Sequence, residues 1–208
     1  MIVIGVAGGI GSGKSLVSQA LGSLGAVVLD ADRMGHEVLR EPEVKDAIRR
    51  RWGECVFDPQ GEVDRRAVAR RVFAQPGGPR ELAYLERLTH PRIAERLRQS
   101  LGRLAGEGSH AVVVLDAALL IEAGWDALCD KILFVDAPRA LRLARAQGRG
   151  WTKADFEARE AAQASLDQKQ ARADIVIDNS RTPEDTIKQV EAVWGCLTSG
   201  SCRRSGAP

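Results

Sequence analysis

The stretch Gly8-Gly9-Ile10-Gly11-Ser12-Gly13-Lys14-Ser15 decides how the rest of the chain is read. It meets G-x-x-x-x-G-K-[ST] at every fixed position. Before it, Ile2-Val3-Ile4-Gly5-Val6-Ala7 is an apolar run of the kind that forms a buried strand. After it, Leu16, Val17, Ala20, Leu21 and Leu24 recur at helical spacing. Strand, glycine loop and helix in that order form a phosphate site, whereas a glycine-rich turn with an incidental lysine needs neither flank. The glycines let backbone N–H groups converge on a polyphosphate, and the helix aims its partly positive N-terminus at the same anion. Lys14 adds a point charge for the β- and γ-phosphates. The Ser15 hydroxyl is a natural Mg²⁺ ligand.

With 208 residues the chain is long enough for one full core with an inserted subdomain. Hydrophobic residues make up 44% and charged residues 28%, as in an ordinary soluble globular protein. Thirty Lys and Arg stand against 28 Asp and Glu, a net charge of +2, too balanced for a general nucleic-acid binder. The four cysteines, Cys55, Cys129, Cys196 and Cys202, form no C-x-x-C pair, which argues against a zinc site or a disulfide framework and for a reducing compartment. No signal peptide is evident. The longest apolar stretch, Ala111 to Ile121, is broken by Asp116 and is too short to span a bilayer. These features predict a cytoplasmic protein.

Moving outward from the loop, Gly25 to Leu29 reads as a second strand ending in Asp30-Ala31-Asp32. Acids at the carboxyl end of a strand matter in an open α/β sheet, because ligands bind in the crevice there. Strand alternation would give Asp30 and Asp32 the same direction, one of them capping the next helix and the other facing a substrate. Residues 37 to about 107 are helical in pattern and rich in Arg and Glu, and they read as an insert. Val44, Ala47 and Ile48 mark one helix, and Val68, Val72 and Phe73 another. Pro76-Gly77-Gly78-Pro79 marks a break, and His90-Pro91 is expected to interrupt a further helix. Arg65, Arg66, Arg70 and Arg71 would grip an anion or simply face solvent.

Ala111 to Leu115 is apolar on both faces and is expected to be central in the sheet. It ends in Asp116, placed to orient a Mg²⁺ shell through water. Lys131 to Asp136 is the fourth strand. A helix follows with Arg139, Arg142, Arg145 and Arg149, a stripe that would be solvent-facing or would belong to a mobile lid. Thr152-x-x-Asp155 is a capping box. Ala173 to Asn179 is the fifth strand, and Thr182-Pro183-Glu184-Asp185 opens the last helix. The Ser, Gly, Arg and Pro tail over 198–208 is expected to be disordered. There is no internal repeat.

Taken together these motifs resemble the dephospho-coenzyme A kinase family. The resemblance rests on the loop, Asp30-Ala31-Asp32, Gly61-Glu62-Val63-Asp64-Arg65, His90-Pro91, Leu119-Leu120-x-Glu122, Arg145, Arg149, Arg159-x-x-x-Gln163 and Ala173-Asp174-x-x-Ile177-Asp178-Asn179. The chain departs from the family's usual pattern at Leu16 (Thr), Ala118 (Pro) and Arg142 (Gln). The resemblance implies a three-layer α/β P-loop kinase fold on a five-stranded parallel sheet. One domain over 2–197 would carry the helical substrate-binding insert and an arginine-bearing lid at about 145–172. ATP and dephospho-coenzyme A would be the partners, with Mg²⁺ as cofactor, no nucleic acid and no membrane, in a monomer or small homo-oligomer. It assigns catalysis to Asp32 as general base with Lys14 and Arg145. ATP would be bound by Gly9, Gly11, Ser12, Gly13, Lys14, Ser15, Leu16, Arg149 and Asn179. The acceptor would meet Asp32, Arg65, His90, Leu119 and Glu122. Another small-molecule kinase, acting on a nucleoside, nucleotide or sugar acid, is the nearest rival. A nucleotide-dependent switch is disfavoured, because N-K-x-D is absent and no D-x-x-G follows the third strand.

Overall fold

The computed structural model describes residues 1–74 and 76–199. The chain falls into two compact units, Met1–Asp30 with the residues from Ser100 on, and Ala31–Gln99. In chain order the elements are β1 (Ile2–Gly8), α1 (Lys14–Ser23), β2 (Val27–Asp30), α2 (Ala31–Val38), α3 (Pro42–Trp52), α4 (Arg65–Val72) and α5 (Gly78–Glu107). There follow β3 (Val112–Asp116), β4 (Lys131–Asp136), α6 (Arg139–Gly148), α7 (Lys153–Ala161), α8 (Leu166–Gln170), β5 (Ile175–Asp178) and α9 (Pro183–Thr198). The expected tail lies outside the described residues from 200 on, while Thr198 still closes α9. No helix among the described residues is long and apolar enough to cross a membrane.

The first unit is an all-parallel sheet in the order β2-β3-β1-β4-β5. β3 is an interior strand, as its apolar run implies, and the glycine-loop strand β1 is the middle one of the five. β3 lies between β2 and β1, which already gives its fully apolar backbone run two neighbours. On one face Ile4, Val6, Val112, Val114, Leu133, Val135 and Ile177 pack with Val17 and Leu21 of α1 and Val190 of α9. On the other face Gly5 has no side chain because Leu120 and Cys129 occupy the place of its Cβ. That burial pushes the Cys129 thiol up to about 12, so it is an inert packing group. The strands β2, β3, β4 and β5 all end in aspartate, and the register aligns Asp30 with Asp116 and Asp136 with Asp178. The carboxyl edge is therefore acidic on both sides of the glycine loop.

The helix starts follow local chemistry. Thr152 and Asp155 form the expected capping box, with Thr152 Oγ1 accepting from Asp155 N at 3.0 Å. Thr182 caps α9 in the same way ahead of Pro183.

The second unit is helical, and its only extended pairing among the described residues is an isolated bridge of Phe57 with Val63. Two expectations fail here. β2 stops at Asp30 and α2 opens on Ala31, so Asp30 and Asp32 do not alternate along one strand. α5 runs unbroken through His90-Pro91. The carbonyls near the missing proline N–H are met by side chains: Thr89 Oγ1 donates to Leu85 O at 2.9 Å and Arg92 Nη1 to Leu88 O at 2.8 Å.

Candidate active site

The loop between β1 and α1 turns through Gly11 at φ 74° and Gly13 at φ 101°, conformations that side chains resist. Space forbids them as well. A Cβ on Gly11 would overlap the carbonyl oxygen of Arg142, and one on Gly13 would overlap Nδ2 of Asn179. Gly13 then caps α1, so that Lys14 is the first helical residue and Ser15 lies exposed in the first turn.

Every carbonyl from Gly8 to Gly13 accepts a hydrogen bond. Lys14 Nζ donates to Gly8 O (3.3 Å) and Gly9 O (3.4 Å). Gly9 O also accepts from Ser12 N at 3.1 Å. Arg142 Nη1 donates to Ile10 O at 3.4 Å, and Arg145 Nη1 to Gly11 O at 3.3 Å and to Ser12 O at 3.2 Å. Asn179 Nδ2 donates to Ser12 O at 2.6 Å, and Leu16 N to Gly13 O at 3.0 Å. A loop whose acceptors are all engaged offers donors to whatever enters it, which is the property an anion needs. The Ser12 hydroxyl points the same way: it is buried and has no hydrogen-bond partner. The lysine's two bonds are long, weak enough for a phosphate to take their place.

The two residues behind the loop are keyed in place. Asn179 is buried, and its Oδ1 accepts from Thr186 Oγ1 at 2.8 Å while its own N–H donates to Asp136 O at 2.8 Å. Arg145 Nη2 donates to Asn179 O at 3.0 Å. Burial, and then the neighbouring Arg149, hold the Arg145 guanidinium below its ordinary pKa. Arg145 and Asn179, both expected at the nucleotide, hold the backbone of the loop. Arg149 is exposed at the end of α6.

After β3, Asp116 and Leu119 are half-buried. Glu122 Oε1 pairs with Lys169 Nζ at 2.8 Å and accepts from Ala164 N at 3.0 Å, while its Oε2 is buried without a partner. Lys169 is buried and also donates to Gln163 Oε1 at 3.0 Å. Glu122, expected on the acceptor, also tethers the segment leading into α8 through Oε1. Sequence reading missed Lys169 because a lysine in a polar stretch looks solvated, and nothing local marks it as buried.

In the helical unit, Asp32 is exposed in the first turn of α2. Arg65 opens α4 behind the N-cap Asp64, whose carboxylate accepts from Arg66 N and Ala67 N. Arg65 Nη1 meets Nε2 of His36, bringing together one expected residue and one not expected. His90 is half-buried within α5. Among the described residues no three His, Cys, Asp or Glu side chains gather as a metal cage.

The sequence profile of the dephospho-CoA kinase family matches residues 2–185. A dephospho-CoA kinase from Anaeromyxobacter dehalogenans is 40% identical over 209 residues, covering 98% of this chain and 96% of its own. The chain belongs to the dephospho-CoA kinase family. Its fold is similar to that of a Thermus thermophilus protein (TM-score 0.76, 36% identity, 93% of this chain and 96% of that one). It is also similar to the fold of the dephospho-CoA kinase from Campylobacter jejuni (TM-score 0.70, 23% identity, 95% and 98%). The five-stranded parallel sheet with its glycine loop is the P-loop kinase fold. At the back of that loop stands Arg142, which is buried.

Proposed function

We propose that this chain transfers the γ-phosphoryl group of ATP to the ribose 3′-hydroxyl of dephospho-CoA, giving CoA and ADP, the last step of coenzyme A synthesis. The observation that carries this reading is the run of engaged carbonyls from Gly8 to Gly13, which leaves the loop a donor surface on a chain of this family. Lys14 and the amides around Gly9, Gly11, Ser12 and Gly13 would hold the phosphates, with Leu16 and Arg149 on the ATP side. Arg145 and Asn179 would act on the phosphates through the loop they hold. Asp32 would take the proton of the acceptor hydroxyl as general base, with Arg65, His90, Leu119 and Glu122 as the acceptor's candidate contacts.

Mg²⁺ fits the residues present. Ser15 offers an exposed hydroxyl one residue after Lys14, and Asp116 a half-buried carboxylate at the end of β3. A hard cation that keeps waters and takes phosphate oxygens needs no protein cage, so Ser15 would bind it directly and Asp116 through water. When bound it would neutralise charge on the β- and γ-oxygens. Rate would come mainly from positioning and electrostatics. The setting we infer is the cytoplasm, with no nucleic acid or membrane as partner, in a monomer or small homo-oligomer.

The test is an ADP-release assay with dephospho-CoA beside a panel of nucleosides, nucleotides and sugar acids, the CoA product being confirmed by mass. Dephospho-CoA should be the preferred acceptor. If it is ignored and a nucleoside is used, the rival small-molecule kinase is the better reading.

A further inference from the structure

We propose that Arg142 is a positioning residue for the nucleotide loop, and that Glu160 on α7 keeps it there; this rests on the loop being the ATP site. Arg142 lies in the arginine stripe of α6, where a solvated side chain is the ordinary expectation. Instead it is 2% exposed. Its Nε donates to Ala137 O at 3.2 Å and its Nη1 to Ile10 O at 3.4 Å, while Nη1 also pairs with Glu160 Oε1 at 2.8 Å. The guanidinium lies 5.6 Å from the ring of Phe156, which is fully buried.

A buried guanidinium needs a counter-charge, and Glu160 supplies it from the next helix. Glu160 is shared with Arg139, at 3.0 Å, so two arginines of α6 are tied to α7 beside Phe156. Contact with the loop is close. A Cβ on Gly9 would fall 2.8 Å from Arg142 Nη1 and 2.9 Å from Leu166 of α8. The Arg142 backbone carbonyl likewise fills the place of a Gly11 Cβ. Of the loop carbonyls, Ile10 O is reached by Arg142 alone among the hydrogen bonds described, so the contacts of Arg142 with Ile10, Gly9 and Gly11 together position the first half of the loop. A glutamine there could donate to a carbonyl but carries no charge for Glu160 to hold. The position of α7 is thereby linked to the geometry of the loop in this chain.

The test compares R142M, R142K and E160Q with the wild type in steady-state kinetics, in equilibrium binding of a fluorescent ATP analogue and in thermal melting. R142M keeps the stem's bulk and leaves Glu160 paired with Arg139. It should raise the ATP KM and the nucleotide Kd about tenfold, the weight of one charged hydrogen bond, with the dephospho-CoA KM within about twofold. R142K should recover part of that loss. E160Q should act in the same direction, and R142M/E160Q should bind no more weakly than R142M alone, since both remove one connection. The proposal is overturned if R142M binds nucleotide as the wild type does, if both KM values rise together with a lowered Tm, or if the two losses add. Should R142M not fold, R142Q decides by the same criteria. The binding arm needs no acceptor, so it judges Arg142 even if dephospho-CoA proves not to be the substrate.

Discussion

The glycine loop of the sheet unit and the helical unit use their cations differently. At the glycine loop, Lys14, Arg142 and Arg145 donate to backbone carbonyls, with Arg142 also held by Glu160. In the helical unit, cations meet carboxylates on neighbouring segments. Lys45 pairs with Glu62 (2.6 Å), Arg51 with Glu81 (2.8 Å), and Arg96 with Glu37 (3.0 Å) and Glu41 (2.7 Å). A cation on a carbonyl of the glycine loop shapes an anion site, and a cation on a carboxylate ties two segments together. The contrast teaches that equal arginine content can serve two ends. It also implies that substitutions of the loop-facing cations should be read in catalysis and those of the helical unit's ion pairs in stability.

The strongest way to break that contrast is Lys14→Ala. Removing the loop's point charge should lower kcat about a hundredfold or more, the weight of one electrostatic contact to the reacting group, with little change in Tm. Turnover near the wild-type value would leave the loop without its assigned role. Next in size is Asn179→Ala, which strips Ser12 O and Thr186 Oγ1 of buried partners at 2.6 and 2.8 Å. It should cost about 1–3 kcal/mol in denaturant unfolding and also weaken ATP binding. A loss of stability with unchanged ATP affinity would separate Asn179 from the site. In the helical unit, Arg96→Ala should cost no more than about 1 kcal/mol, because its partners are half-exposed, and should leave the ATP KM unchanged.

How far these roles were visible beforehand differs by unit for a physical reason. The strands and the loop are written in local pattern. Apolar runs, glycines and caps such as Thr152 and Thr182 act within a few residues, and the structure has them where the sequence puts them. Arg142 and Lys169 were not legible as buried, since their partners Glu160 and Glu122 are distant in sequence or carry no periodic signal. The start of α2 at Ala31 was hidden because Asp30 and Asp32 fit a strand end as well as a helix start. Pro91 misled in the opposite sense. A proline disfavours a helix locally, but Thr89 and Arg92 bond the nearby carbonyls, and buried Ile93 and Leu97 anchor the helix beyond it.

The smallest expected effect is the one that most sharpens the comparison. Glu81 of α5 is held at about 2, against an ordinary 4.5, first by its hydrogen bond from Arg51 and then by that from Trp52 Nε1 at 2.6 Å. Its folded pKa lies below its unfolded one, so the unfolded state takes up the proton first as acid is added. The stabilisation is therefore complete above pH 4.5 and is lost as pH falls toward 2. Glu81→Gln keeps an acceptor for Trp52 and removes the titrating charge, so Tm plotted against pH should fall less steeply across that window than in the wild type. Asp155 and Asp178 in the sheet unit are also held low, by hydrogen bonds from Thr152 and Ser180 nearby in sequence, and they titrate identically in both proteins. The difference between the two curves thus isolates one helix-to-helix ion pair. Parallel curves would mean that the Arg51–Glu81 contact is satisfied equally well by solvent, and the helical unit's ion pairs would then be surface decoration and not ties.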